Sequence, residues 1–231
     1  MEDAEAMIAA CRDAGVTLLV GHVLRFFPQY EAAHRAVKSG AIGSPSIART
    51  FRGNGFPQGW SGWYADPEMS GGLILDMLLH DFDWLVWTFG PVERVYAKGL
   101  VRDIAKGRDY ALVTVRHKNG VIAHLEGTWS HTTPFNMKLE VAGDKGLIDY
   151  DDSKARPVQF TPRDTGPSDK PKVAIPESPL AEDPYYTELR HFIDVMKGQV
   201  EPRVTAEDAK EVLRVALAAL ESAKTGRAIV L

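Results

Sequence analysis

The 231 residues are 45% hydrophobic and 25% charged. That is the balance of a globular chain with room for one sizeable core or two small ones, and it excludes a disordered or fibrous protein. A formal net charge of −4 supplies no basic footprint for a phosphate backbone, so nucleic acid is not an expected partner.

No apolar run approaches the roughly 20 residues that span a bilayer. The first residues are acidic where an export signal is basic, and a single cysteine, Cys11, excludes an internal disulfide framework. No membrane association is expected, and a cytoplasmic location is the default.

Residues 2–14 place Ala4, Ile8 and Cys11 at helical spacing, with Cys11 expected as a small buried apolar residue. VTLLVG (16–21) is a short, mostly apolar run with β-branched residues, which predicts a buried strand of a parallel α/β unit. One such unit cannot make a sheet, so the chain reads as beginning inside a larger unit. Pro28 opens and Gly40 closes a helix, and SPSIARTFRG (44–53) reads as a strand.

GGLILDMLLHDFDWLVWTFG (71–90) predicts one apolar helix. Strand-like segments follow at 92–101, 110–118, 121–130 and 136–143, with KNG at 118–120 as a hairpin signal. Short links between consecutive strands favour antiparallel pairing. Residues 162–183 form a polar excursion. Helices are predicted at about 184–197 and 205–225, the second capped by Thr205. The order describes an α+β fold: an open, mainly antiparallel β-sheet with helices on one face, the other face covered in an oligomer.

Within the 71–90 helix, Asp76, His80 and Asp83 stand at i, i+4 and i+7, within roughly 60° on one face. Leu73, Ile74, Met77, Leu78, Trp84, Leu85 and Phe89 supply the apolar surface beside them, and Asp81 points to solvent or a neighbouring strand. Buried carboxylates and imidazoles need a partner or a purpose. Three readings stand open on these residues alone. His80 is an acid–base group oriented by a carboxylate; or the three residues are metal ligands; or His80 is a satisfied core histidine and the aspartates bond backbone or arginine.

Residues 17–53, the GG-x3-D-x3-H-x2-D helix, Gly90-Pro91 before a strand, the G-x-x-G turn of LEVAGDKGLIDYD and the segment VTAEDAKEVLRVALAALESAKTGRAIVL together resemble the Gfo/Idh/MocA family of NAD(P)-dependent oxidoreductases. The resemblance implies that His80 takes the proton of a substrate hydroxyl as hydride leaves for nicotinamide. Asp76 would orient His80 or bind the neighbouring hydroxyl. Asp83, Arg25, His131 and Phe135 would lie at the substrate, although a structural ion pair is an equal expectation for Arg25 and a surface loop an equal one for His131 and Phe135. Trp60, Trp63 and Tyr64 fall where family loops approach substrate, with packing as the alternative.

The resemblance further implies NAD or NADP as cofactor and a sugar or polyol as substrate; no metal is assigned, and the open sheet face suggests a homo-oligomer built through it. Residues 1–21 would be a remnant of a Rossmann dinucleotide-binding domain, and 22–231 the substrate-binding and oligomerisation domain. The departure is that no Gly-rich phosphate turn and no E-K-P lysine occur. RGNGFPQG (52–59) and DKPK (169–172) imitate them without the strand–helix context that phosphate binding needs. No cofactor-binding residue is therefore assigned, and the chain is expected to be inactive alone. The reading from another class is a non-catalytic module that self-associates or binds a sugar-like ligand.

Overall fold

The computed structural model describes residues 1–57, 59–103, 108–132, 134–154 and 182–231. The DKPK segment and all but the end of the predicted polar excursion lie outside the described residues. Among the described residues, seven strands form one sheet in the order β6-β5-β1-β4-β3-β2-β7. They are β1 (Pro45–Gly53), β2 (Val92–Asp103), β3 (Arg108–His117), β4 (Ile122–Thr128), β5 (Asn136–Gly143), β6 (Leu147–Asp151) and β7 (Ile229–Val230). Every neighbouring pair is antiparallel except β1 and β4, which run parallel from Ile47 opposite Ile122 to Gly53 opposite Thr128.

Alternation along the strands sends one set of side chains to a single face. Ala48, Val95, Ala97, Val113, Val115, Ala123, Leu125, Met137, Leu139 and Val141 are buried there. Helices α4 (Gly72–Asp76), α5 (Leu79–Phe89) and α7 (Ala206–Thr225) pack in the layer above them. Trp84 of α5 is fully buried and its indole N–H donates to the Tyr30 carbonyl of α2 (Pro28–Lys38) at 2.9 Å. Helix α7 starts with a capping box between Thr205 and Asp208, which satisfies two otherwise orphaned donors. Near its end Ser222 accepts from the Ala97 amide at 2.9 Å and donates to the Arg227 carbonyl at 2.6 Å, tying the helix to β2. The remaining helices are α1 (Glu2–Asp13), α3 (Pro67–Ser70) and α6 (Pro184–Met196). No described helix is long and apolar enough to cross a membrane.

The fold is the α+β arrangement of an open, mainly antiparallel sheet with helices, and three local expectations change. VTLLVG is not a buried strand: residues 16–21 carry no ladder, and Val16 is 57% exposed. No parallel neighbour lies beside it among the described residues, and a lone strand cannot satisfy its backbone. Cys11 is only half-buried, on a helix with no buried residue. The third change is that β4 and β5, consecutive in sequence, are not neighbours, because β1 lies between them. A parallel pair needs a long crossover, and the chain from β1 to β4 passes through α3, α4 and α5 and then through β2 and β3.

Candidate active site

The predicted single helix at 71–90 is interrupted between Asp76 and Leu79. The Met77 and Leu78 amides both donate to the Leu73 carbonyl, at 3.0 and 3.1 Å. The second bond is i→i−5, a wide turn of the kind that re-aims helix side chains. Packing accounts for it. Leu78 is fully buried, and a Cβ on Gly127 of β4 would come within 2.9 Å of its Cδ2, so a glycine strand position admits the turn. The extra residue shifts Asp76 relative to His80, and no hydrogen bond joins the two among the described residues.

His80 is half-buried, and its Nδ1 is buried without a hydrogen-bond partner. Burial first, then the nearby Arg52 guanidinium and His22, push its pKa down to about 3. Asp76 is half-buried, and burial pushes its carboxyl up to about 6. Tyr64 lies near enough for Asp76 to add to the rise that burial causes in its phenol.

Asp81 faces the neighbouring strand, not solvent. It is fully buried and accepts from Arg52 Nε of β1 at 2.7 Å. The Arg52 guanidinium lies 5.6 Å from the centre of the Phe135 ring and leaves Nη2 without a partner. Phe135 thus borders the helix carrying His80. His131 does not join this group: it packs on Phe51 at 5.3 Å between ring centres, and Phe51 points to the sheet face opposite Arg52. Trp60 is 88% exposed, on a turn where Ser61 and Gly62 both have positive φ.

Arg25 and Asp83 bind each other. Arg25 Nε donates to both Asp83 oxygens at 3.1 and 3.0 Å, and Nη2 donates to Oδ1 at 2.6 Å. Nη1 reaches the Arg203 carbonyl at 2.8 Å and Asp208 at 3.1 Å. Asp83 is fully buried, so the pair clamps the 3-10 turn Val23–Phe26 to α5 and the start of α7.

Sequence reasoning passed over Arg52, His22 and Glu188. The signal was available for Arg52, a charged residue on the inward register of a predicted strand. For His22 and Glu188 it was not, since only tertiary packing buries them. Among the described residues no group of three or more His, Cys, Asp or Glu could hold a metal ion.

Residues 30–149 match the GFO/IDH/MocA C-terminal domain family. The chain is 34% identical to a 1,5-anhydro-D-fructose reductase of Ensifer adhaerens over 99% of its own length and 68% of the relative's. It is 30% identical to a myo-inositol 2-dehydrogenase of Thermotoga maritima over 99% of this chain and 69% of that one. Among solved structures, a probable dehydrogenase from Thermotoga maritima superposes with a TM-score of 0.80 at 28% identity, over 99% of this chain and 69% of that one. The chain therefore spans about two thirds of the length of these relatives.

Proposed function

Because the chain belongs to the GFO/IDH/MocA family, we propose that it is the substrate-binding and acid–base portion of an NAD(P)-dependent oxidoreductase acting on a secondary alcohol of a sugar or polyol. Residues 1–21 belong to the nucleotide-binding side of such an enzyme and 22–231 to the substrate side. The observation that carries this reading is His80, a half-buried imidazole kept neutral by burial and by Arg52, four residues and one wide turn beyond Asp76, whose carboxyl burial raises to about 6.

A neutral imidazole has a lone pair to accept the hydroxyl proton. A pKa this low makes a weak base, but loss of hydride from the carbon turns the hydroxyl into a far stronger acid, so transfer to His80 becomes downhill as the hydride departs. Asp76, with no hydrogen bond to His80, binds the adjacent hydroxyl. Phe135 and the Arg52–Asp81 pair wall the site, and the Arg25–Asp83 clamp fixes the helix that presents His80. Tyr64 lies beside Asp76, on the same turn as Trp60 and Trp63.

A nicotinamide cofactor, when bound, supplies the two-electron acceptor. The orphaned polar atoms near His80 fit a polar ligand, but the 231 residues hold neither G-x-G-x-x-G nor E-K-P, so this chain alone supplies no cradle for the dinucleotide phosphates. The open sheet face, with Tyr96, Leu112 and Ile122 each more than a third exposed, is the surface through which copies associate; sedimentation would read the assembly.

Two measurements test the function. Titrating the chain with myo-inositol while following histidine imidazole resonances should shift His80, and an unmoved His80 with every polyol tried refutes the site. Mixing the chain with NAD or NADP and a polyol panel should give no cofactor reduction; robust reduction would overturn the inactivity of the chain by itself.

A further inference from the structure

His22 and Glu188 take no part in the proton transfer, yet each is a buried polar side chain with an atom left unsatisfied. His22 is 4% and Glu188 6% exposed, and His22 Nε2 and Glu188 Oε1 have no hydrogen-bond partner. Buried polar groups are almost always bonded, so two orphans in one place call for an explanation.

They are in one place. A Cβ on Gly21 would lie 3.8 Å from Glu188 Oε2 and 3.9 Å from Oε1, so α6 brings its carboxyl up to the backbone directly before His22. Both groups stand on fixed elements. The His22 amide bonds the Val20 carbonyl at 3.0 Å, and the His22 carbonyl accepts from Arg25 at 3.3 Å. On the other side, His191 of α6 packs on Phe26 at 5.4 Å and accepts from the Arg203 amide at 2.9 Å. His22 lies close enough to His80 to act on its charge.

The pair carries little charge: burial disfavours the ionised form of each. Burial pushes the Glu188 carboxyl up to about 7. Burial also pushes His22 down, against the attraction of Asp83. The neighbouring cation, Arg25, is committed to Asp83 and Asp208. An anion would meet no spare positive charge from it, whereas a group that both donates and accepts would satisfy both orphans.

We propose that Glu188 and His22 form a second polar subsite beside His80 that holds an uncharged donor–acceptor group of the ligand, either a polyol hydroxyl or the carboxamide of nicotinamide. This rests on the function proposed above, and the two sources are separable. Isotope-labelled chain is titrated with myo-inositol and, separately, with nicotinamide, following the imidazole resonances of His22 and His80 and the carboxyl resonances of Glu188 and Asp76.

Shifts at His22 and Glu188 with inositol assign the hydroxyl; shifts with nicotinamide assign the carboxamide. Glu188→Gln keeps a donor and an acceptor and should bind within about two-fold of the unaltered chain, while Glu188→Ala should weaken binding about ten-fold, the effect of losing one buried hydrogen bond. His22→Leu gives the independent reading should Glu188→Ala fail to fold. Shifts at His80 and Asp76 with His22 and Glu188 silent, or unchanged binding by Glu188→Ala and His22→Leu, overturn the subsite and leave the function standing. No shift at His80 with either probe overturns both.

Discussion

Replacing Asp83 with alanine separates a structural role from a role at the substrate. Arg25 and Asp83 have side chains 3% and 0% exposed, and Asp83 receives three of the five hydrogen bonds made by the guanidinium. Asp83→Ala leaves a buried cation with Asp208, the Arg203 carbonyl and the Trp87 ring, and breaking a buried pair from one side costs about 3–5 kcal/mol. That is a large part of the roughly 5–15 kcal/mol that holds a domain folded.

The double variant Arg25→Met with Asp83→Leu removes both charges and keeps volume, so it should recover most of the loss, since hydrophobic replacement of a buried pair is often neutral. Urea unfolding at pH 7, followed by tryptophan fluorescence, reads all three proteins. A cost below about 1 kcal/mol for Asp83→Ala, the range of an exposed pair, would refute the clamp and return Asp83 to the substrate. A double variant no more stable than Asp83→Ala would show that the loss lies in packing and not in the stranded charge.

Glu188 should make stability fall with rising pH. Its carboxyl is raised from 4.5 to about 7, so its contribution is complete below the unfolded value and is lost as pH rises through the folded one, a loss of about 3 kcal/mol. Glu188→Gln should flatten the difference between urea midpoints at pH 5 and pH 8, and an unchanged slope would contradict the shift. His80 is lowered from 6.5 to about 3, so its contribution is complete above the unfolded value and is lost as pH falls through the folded one. Its imidazole resonance should not titrate near neutrality, and a midpoint close to 6.5 would show a solvated ring. Gly127→Ala should cost about 1–3 kcal/mol by overpacking Leu78 and should also move the His80 resonance, because the wide turn lies between them; thermal unfolding with an imidazole spectrum checks both. Thr205→Ala should cost about 1 kcal/mol through loss of the capping box, read as a lower melting temperature.

Local chemistry was enough for much of this molecule. Pro28 and Gly40 bracket α2, Thr205 opens α7, and alternation in 110–118 and 121–130 gives two strands joined at KNG, because each signal acts within a few residues of its effect. The apolar set of the 71–90 segment, Leu73, Ile74, Met77, Leu78, Trp84, Leu85 and Phe89, is buried in the core, since hydrophobic periodicity reports the face that packs. The sequence also singled out His80 and Asp76 as polar residues in an apolar helix, and their role at a substrate is the proposal made above.

What only the tertiary structure decided are the relations between distant segments. Asp81 finds Arg52 across 29 residues and Asp83 finds Arg25 across 58, and neither match leaves a local trace, because an ion pair depends on where elements pack. The break after Asp76 is admitted by Gly127 on another strand, where any side chain would press on Leu78. The insertion of β1 between β4 and β5 pairs strands that lie far apart in the sequence. His22 and Glu188 become orphans only when α6 covers the turn at Gly21: spacing along the chain sets which way a side chain points, and burial by a remote element sets what it must then satisfy.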